Sequence, residues 1–410
     1  MATRPNTPAA NNAPNYLVPF IIVTALFGIF GFLTSLNNQL VGKLKEIFDL
    51  PYGPSMLATS AWFFAYLVFS VPSGKLIEKV GYKGTMVISL FIMVVGALLF
   101  IPAANMVSFN LTLFAIFVLA SGVCALQTSA NPYVAILGPE ESASARLNLA
   151  QAFNSAASAA AGWFAARFIL ADTSKVTDPA SQAHMLQMPY VYIASGLLIL
   201  GFAVMFLHLP AITSARPAED SPEPGRSIWS YKHTVLGMVG IFFYVGVEIA
   251  LAAIAIQYCK QQGISNVQTA GILVTAYYLF IMAGRFVGSA LMSVIKAEKM
   301  LVVLGILGVV LMLVSMVTHG QIAIWSLVLC GLANSIMYPT IFTLGIAELG
   351  HLTSKGSGVI TIGNVGGAVI PPLFGFLADK VGIQYAFVLP IVCYLFITYY
   401  GFSGYKPARS

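Results

Sequence analysis

The sequence predicts an all-α integral membrane protein with twelve transmembrane helices arranged as two six-helix bundles. Of its 410 residues, 58% are hydrophobic and only 8% are charged, whereas a soluble domain carries about a quarter charged residues. Twelve apolar stretches are each long enough to cross a bilayer, which takes roughly 20 residues. A polar stretch at residues 211–232 separates the first six stretches from the last six.

The apolar stretches are expected to be helices, because only helices and closed barrels satisfy their backbone groups in hydrocarbon. A barrel would instead show alternation over segments of about ten residues. The expected spans are residues 17–41, 55–76, 85–104, 108–137, 144–170, 188–209, 233–259, 267–295, 299–318, 322–349, 357–378 and 383–403.

These spans predict the domain organisation. A polar tail at residues 1–16 lacks the basic region and cleavage site of a secretory signal, so the first span should be retained as a helix. One bundle occupies residues 17–210, and a linker at residues 211–232 connects it to a second bundle at residues 233–403. A short tail at residues 404–410 follows. No stretch is left for a soluble catalytic domain, and the protein is not expected to be an enzyme.

The distribution of charge predicts the orientation. The chain has 20 Lys and Arg against 14 Asp and Glu, a net charge of +6. With both termini in the cytoplasm, most basic residues fall on cytoplasmic loops or helix ends, as the positive-inside rule requires. We therefore expect a multi-pass protein of a bacterial-type inner membrane. A nucleic-acid partner is not expected, because the basic residues are dispersed over many short loops.

No cofactor or metal is predicted. The four cysteines lie in or near the ends of apolar spans, and no pair has metal-ligand spacing. The chain also lacks a GxxxxGK[ST] loop, which disfavours transport driven by ATP. We expect a monomer whose partners are a small solute and the lipid bilayer.

The two halves contain a weak repeat. Three residues of "NPYVAILG", at residues 131–138, recur with the same spacing in "YPTIFTLG", at residues 338–345. Both segments lie at the end of the fourth span of their half. Two bundles related in this way are typical of transporters that rock about a central site.

A loop motif is similar to one of a known superfamily. The segment "PSGKLIEKVGYKG" resembles the loop between helices 2 and 3 of the major facilitator superfamily, and Gly74, Glu78, Lys79, Gly81 and Lys83 fill the motif positions. The resemblance implies the major facilitator fold. The glycines would allow close helix approach, and the charges could pair across a cytoplasmic gate. The alternative is a basic loop that only sets topology.

A longer segment narrows the family. "LQTSANPYVAILGPEESASARLNLAQAFNS", residues 126–155, is similar to the fucose/glucose/galactose cation symporter family. "LQ" and "YVGVE" are closer to the glucose/galactose and amino-sugar branch than to the fucose branch, in which an acid stands at Gln127. The resemblance implies proton- or sodium-coupled uptake of a monosaccharide by alternating access. The sugar would be a hexose such as glucose or galactose, fucose, or N-acetylglucosamine.

Polar residues within the spans are candidates for a sugar site. Hexose hydroxyls donate and accept hydrogen bonds, so their pocket needs amides or carboxylates and an aromatic face. Asn148, Gln151 and Asn154 follow one another at i, i+3 and i+6, and we expect them on one stripe of the fifth span. The resemblance implies sugar contacts for Gln151 and Asn154. Hydrogen bonding between helices is the alternative.

Four further residues are candidates for substrate binding. The polar ones are expected to face the bundle interior, because an unpaired amide in hydrocarbon costs several kcal/mol. An aromatic ring would cover the C–H face of a sugar, although any one aromatic could equally belong to the core. These candidates are Gln127, Asn37, Asn364 and Trp62. Asn334 is a fifth amide with the same two interpretations.

Glu248 and Asn38 are the candidates for cation coupling. Among the 14 acids, Glu248 alone lies deep in a predicted span, and intramembrane acids are candidates for ion or proton pathways. The alternative is a structural acid, neutral or paired with Arg146 or Arg285. Family members that resemble this chain usually have Leu-Asn-Asp where "LNN" ends at Asn38, and the resemblance assigns coupling to that Asp.

Because Asn38 is an amide, three explanations stay open. Coupling could have moved to Glu248, or a sodium ion could be held by amide oxygens near Asn38 and Gln127. Asn38 could also be an engineered mimic of a protonated carboxyl.

Other functions remain as rivals. A membrane-embedded lipid or sugar transferase would need a catalytic acid, base or metal cluster, but the five histidines are scattered singly. A channel is weakened by the repeat between the halves. A transporter of a non-sugar solute is the remaining alternative.

Overall fold

A computed structural model describes residues 16–48, 57–164, 184, 186–207, 209–210, 227–264 and 266–407. Almost all of these residues are helical. The predicted tails fall mostly outside the described residues, as do residues 211–226 of the predicted linker. The helices are α1 Leu17–Ile47, α2 Leu57–Leu98, α3 Phe100–Asn105, α4 Phe109–Ile136, α5 Ala143–Phe164, α6 Gln187–Phe206, α7 Lys232–Gln261, α8 Val267–Leu291, α9 Ala297–Val317, α10 Gly320–Asn334, α11 Met337–Ile346, α12 Thr353–Ile362, α13 Gly366–Val381, α14 Ile383–Ala386 and α15 Val388–Tyr399.

Ten helical stretches of the described residues are long and apolar enough to cross a membrane. One of them, Leu57–Asn105, has 49 residues and therefore crosses twice, because a single crossing takes about 20. Helix α5 was not among the ten; it is less apolar because it carries Arg, Asn, Gln and Ser residues. With α5 and the double crossing, the helices agree with the predicted twelve spans in two bundles of six.

The sequence predicted a loop between the second and third spans, but the backbone there is helical except at one residue. Residues 74–83 lie inside the continuous assignment of α2, and only Gly81 departs from helical geometry, with φ 75° and ψ 174°. Glycine adopts a positive φ without steric cost. The chain therefore reverses at one residue, and helix continues on both sides of it.

The predicted tenth and eleventh spans are also not continuous helices. The tenth is interrupted at Ser335 and Ile336, between α10 and α11. The eleventh contains a 3₁₀ turn, Gly363–Val365, between α12 and α13. Mid-helix irregularities of this kind often accompany functional hinges.

The two bundles are joined at one end, which we call the closed end. It is the end at which α2 reverses at Gly81, α4 ends and α5 begins. Here the Ser144 and Thr343 hydroxyls are 2.6 Å apart, and the Ser289 hydroxyl donates to the Ala145 carbonyl at 2.9 Å. Toward this end the Ser354 hydroxyl also donates to the Tyr82 hydroxyl at 3.4 Å, and the Ser357 hydroxyl donates to the Thr128 carbonyl at 2.6 Å. The opposite end is called the far end.

Candidate functional site

A single tyrosine hydroxyl links amides of the two bundles. Asn131 on α4 donates through Nδ2 to the Tyr338 hydroxyl at 3.4 Å. Asn364, in the 3₁₀ turn after α12, donates to the same hydroxyl at 3.5 Å. The ring of Tyr338 lies 6.0 Å from that of Tyr244 on α7. We call these four residues and Arg285 the central network.

Arg285 on α8 is buried and donates to four neutral acceptors. They are the Ser335 carbonyl at 3.2 Å, the Gln151 carbonyl at 3.0 Å, the Tyr244 hydroxyl at 3.4 Å and the Ser155 hydroxyl. Gln151 and Ser155 belong to the first bundle, so the guanidinium crosses the interface. Within the described parts of the chain, Arg285 has no carboxylate partner.

Three sequence candidates lie on the far-end side of the central network, two of them one helical turn from its members and the third one turn from a neighbour of Tyr338. Gln127 precedes Asn131 by four residues, and Glu248 follows Tyr244 by four. Trp62 precedes by four residues Tyr66, which lies near Tyr338. Residues four apart share a helix face and are separated by about one 5.4 Å turn. The network therefore forms a polar floor, with these three side chains above it.

Several buried polar atoms at this site have no hydrogen-bond partner among the described residues. They are Gln127 Oε1, Asn131 Oδ1, Asn148 Oδ1 and Trp62 Nε1. An unpaired polar atom in an apolar surrounding costs several kcal/mol. A solute or water that pairs with these atoms would remove that cost, which makes this floor the candidate binding site.

The predicted stripe on the fifth span is wrong in part. Asn148 faces the second bundle, where its Nδ2 donates to the Arg285 carbonyl at 2.7 Å, and Gln151 is buried beside it. Asn154 instead faces α1, where its Nδ2 donates to the Phe27 carbonyl at 3.1 Å. The reason is geometric, because at 3.6 residues per turn positions i and i+6 differ by about 120° around the helix.

Glu248 is half-buried among three tyrosines. Its carboxyl lies close enough to Tyr244, Tyr277 and Tyr278 to interact electrostatically with their hydroxyls. The Tyr277 hydroxyl donates to the Glu248 backbone carbonyl at 3.4 Å. The Glu248 carboxyl is therefore an acidic group next to the central network.

The ion pairs considered for Glu248 do not form in the described structure. Arg285 bonds the neutral groups given above. Arg146 donates to the Val134 carbonyl at 3.2 Å and to the Pro139 carbonyl at 2.8 Å, and thereby holds the turn between α4 and α5. The paired form of the structural alternative is therefore wrong for these two arginines.

The remaining amides have different positions. Asn37 on α1 is buried, whereas the side chain of Asn38 lies outside the described residues, and so does any sodium site built on it. Asn334 donates to the Tyr277 hydroxyl at 2.8 Å and accepts from the Tyr394 hydroxyl at 2.8 Å. Both its bonds are within the second bundle, which favours the packing interpretation for Asn334.

Two residues of the predicted gate, Glu78 and Gly74, meet the second bundle at the closed end. Glu78 pairs with Lys355 Nζ at 3.3 Å. A Cβ placed on Gly74 would be 2.8 Å from the Ser354 carbonyl oxygen, so the backbones of α2 and α12 are in close contact. Lys83 does not cross the interface, because its Nζ donates to the Met205 carbonyl of its own bundle at 2.9 Å. Lys79 is exposed.

The close approach of α2 and α12 makes a testable prediction. A Cβ on Gly358 would be 2.8 Å from the Ser70 carbonyl oxygen, so Gly358→Ala should force the helices apart. Overpacking costs typically 1–3 kcal/mol, and we expect the closed population to fall roughly five- to hundredfold. Spin labels on exposed Lys79 and Lys296 would measure this as a longer distance across the closed end.

Gly375→Ala is the matched control, because a Cβ at Gly375 meets no atom within 4 Å. The four native cysteines are buried, so labels would attach to the introduced sites. An unchanged distance in a well-folded Gly358→Ala protein would contradict the prediction.

Sequence reasoning missed most of the central network. Asn131 and Tyr338 occupy the first position of the two repeated segments, so the repeat itself could have indicated that they meet between the halves. Arg285 was considered only as a partner for Glu248, although a basic residue inside a predicted span is itself a functional candidate. Tyr244 carried no separate signal.

Two six-helix bundles, joined at one end around a floor of unpaired buried amides, define a multi-pass membrane transport protein. The chain belongs to the Major Facilitator Superfamily, whose family model it matches over residues 17–364.

Similar proteins refine this assignment. The chain is 40% identical over 394 residues to the glucose/galactose transporter of Brucella abortus, covering 96% of this chain and 95% of the relative. It is 32% identical to the L-fucose-proton symporter of Escherichia coli, covering 95% and 93%. The crystal structure of Escherichia coli FucP in the outward conformation matches with a TM-score of 0.85 at 31% identity, covering 95% of this chain and 99% of that chain. The predicted resemblance to the fucose/glucose/galactose symporter family is confirmed.

Proposed function

We propose that this chain takes up a monosaccharide by cation-coupled alternating access, with the sugar bound above the central network. The curated relatives are transporters of hexoses or fucose, which favours this function over the membrane-embedded transferase and over a non-sugar solute. The higher identity to the glucose/galactose transporter favours a hexose such as glucose or galactose over fucose.

The unpaired amide oxygens support the proposal most directly. Gln127 Oε1, Asn131 Oδ1 and Asn148 Oδ1 are acceptors, and Trp62 Nε1 is a donor. A hexose hydroxyl can donate to an amide oxygen and accept from the indole at the same time. An apolar solute would leave all four atoms unpaired. We therefore assign substrate binding to Trp62, Gln127, Asn148 and Gln151, with Asn37 and Asn364 alongside them.

We propose a proton as the coupling ion. A relative of 32% identity is a proton symporter, and Glu248 is an acid beside the central network that could take up and release a proton. Sodium is the alternative.

The closed end is assigned to the cytoplasm. Lys75, Lys79, Lys296, Lys299 and Lys355 lie at or near this end, as the positive-inside rule requires of a cytoplasmic face. Both termini would then be cytoplasmic, in a bacterial inner membrane. The structure would correspond to a state open to the outside.

Uptake into proteoliposomes tests the function. Labelled glucose, galactose, fucose and N-acetylglucosamine would be offered under an imposed pH gradient, and separately under a sodium gradient. We expect saturable uptake of a hexose that responds to the pH gradient. Absence of saturable uptake of all four sugars would contradict the proposal, and competition among them would identify the substrate.

Gln151→Ala should weaken sugar binding without lowering thermal stability, because its side chain belongs to the proposed pocket. Loss of one partner of a buried hydrogen bond costs about 1–3 kcal/mol, or roughly five- to hundredfold in affinity. Asn154→Ala should instead lower thermal stability, because it removes the bond to the Phe27 carbonyl, and it should leave the affinity for sugar close to that of the unaltered protein. Isothermal titration and thermal melts would separate the two effects. Unchanged affinity in Gln151→Ala would place the sugar site elsewhere.

A further inference from the structure

The repeated segments each contain a proline that leaves one backbone carbonyl without a helical donor, and these are Pro132 within α4 and Pro339 in the first turn of α11. In a helix the carbonyl of residue i accepts from the N–H of residue i+4, and proline has no N–H. Pro132 therefore leaves the Thr128 carbonyl without its helical donor. Pro339, at the equivalent position of the second repeat, does the same to the Ser335 carbonyl.

Both freed carbonyls are bonded at the interface between the bundles. The Ser357 hydroxyl, from the second bundle, donates to the Thr128 carbonyl at 2.6 Å. Arg285 Nε donates to the Ser335 carbonyl at 3.2 Å, while Nη1 of the same guanidinium donates across the interface to the Gln151 carbonyl at 3.0 Å. Ser357 and Thr128 are fully buried, and Arg285 is 6% exposed.

We propose that Ser357 and Arg285 are positioning residues that hold the closed state through the two proline-freed carbonyls. Ser357 fastens α12 to α4. Arg285 donates to the Ser335 carbonyl at the break between α10 and α11, and it also donates to the Gln151 carbonyl in the backbone of α5. For the closed end to open, the bonds to Thr128 and Gln151 must break, because each joins one bundle to the other.

We call the interface bonds of Ser357 and Arg285 the latch. The latch is also connected to the proposed sugar site, and this part of the inference rests on the proposed function. Arg285 binds the backbone of Gln151, whose side chain is assigned to the pocket, and Asn148 donates back to the Arg285 carbonyl at 2.7 Å. A sugar that moves Asn148 or Gln151 would therefore disturb the hold of Arg285 on α5.

Distance measurements without sugar test the latch separately from transport. One pair of spin labels on Lys79 and Lys296 spans the closed end, and a second pair on exposed Met106 and Gln261 spans the far end. Arg285→Gln should lower the ratio of closed to open molecules roughly tenfold or more, and Ser357→Ala about threefold. The closed-end distance should lengthen while the far-end distance shortens.

Matched controls isolate the interface bonds. Ser129→Ala removes a buried hydroxyl of α4 that bonds only the Ala125 and Leu126 carbonyls of its own helix, and it should change neither distance. Arg285→Lys keeps the charge but loses the planar set of donors, so its shift should lie between wild type and Arg285→Gln.

A further variant tests the bond to Thr128 even if Ser357→Ala alone does not fold. Pro132→Ala returns an N–H to the Thr128 carbonyl, so the double variant Ser357→Ala with Pro132→Ala should recover its thermal stability while its closed end stays open. Recovery of both stability and closure would overturn the latch at Thr128. Unchanged distances in folded Arg285→Gln and Ser357→Ala proteins would overturn the proposal as a whole. Absence of sugar uptake alongside the expected shifts would count against the proposed function only.

Discussion

Asn38→Asp is expected to increase concentrative, pH-dependent sugar uptake above that of the unaltered protein, because it restores a titratable carboxyl where the family resemblance places the coupling acid. An amide resembles a protonated carboxyl in size and hydrogen bonding but cannot release a proton. A ligand shifts a conformational equilibrium only if it binds the two states differently, and a proton that cannot bind has no such effect. The family resemblance assigns the coupling acid to this position.

The measurement is accumulation of labelled sugar in sealed vesicles under an imposed pH gradient, without sodium. Asn38→Ser is the matched control, because it replaces the same amide without adding a titratable carboxyl, and it should not increase coupled uptake. Accumulation by Asn38→Asp no greater than that of the unaltered protein would contradict the prediction. Sodium coupling gives a different result, in which the Asn38 protein already accumulates sugar when sodium is present.

Glu248→Gln should abolish whatever pH dependence the unaltered protein has, if Glu248 carries the coupling proton. Glutamine keeps the size of the side chain and can accept hydrogen bonds through its amide oxygen, but it has no proton to release. Tyr244 also accepts a hydrogen bond from Arg285 at 3.4 Å. A change of charge at Glu248 would therefore affect Arg285, which bonds the backbone of α5. Exchange of sugar across the membrane should persist in the variant.

The comparison is the pH profile of uptake and of counterflow for both proteins at matched yield. Glu298→Gln, at the start of α9, is the control for removal of an acid at a membrane face and should leave the profile unchanged. A folded Glu248→Gln protein with an unaltered profile would remove Glu248 from the coupling path. A loss of yield alone would favour the structural alternative.

The spans and their pairing into halves could be predicted because they depend on local sequence. In hydrocarbon each backbone must satisfy its own hydrogen bonds within a helix, so an apolar stretch such as that of α9 indicates its structure without reference to any other part of the chain. Interruptions were harder to predict. The turn at Gly363–Val365 is a break in mostly apolar sequence, where hydropathy hardly changes. The charged residues around Gly81 indicated a loop between two spans, but they did not indicate that helix continues up to Gly81 on both sides.

The site was predicted only in part, because residue type does not reveal which partner a side chain meets. Asn148 and Asn154 are the same residue type on one helix, yet one bonds the second bundle and the other bonds α1. Asn334 resembles a pocket amide in sequence but is used by two tyrosines of its own bundle.

The sequence by itself determined the membrane class, the two halves, the superfamily and the candidate acid Glu248. Each of these depends on composition, periodicity or a contiguous motif. Only the tertiary structure decided that Arg285 reaches Gln151. It also decided that the Ser357 hydroxyl donates to the Thr128 carbonyl, which Pro132 leaves without a helical donor. The residues of these pairs are more than a hundred positions apart, and their contacts depend on how whole helices are rotated and stacked. A helix sets the direction of a side chain relative to its own neighbours, whereas the packing of the two bundles sets what lies in that direction.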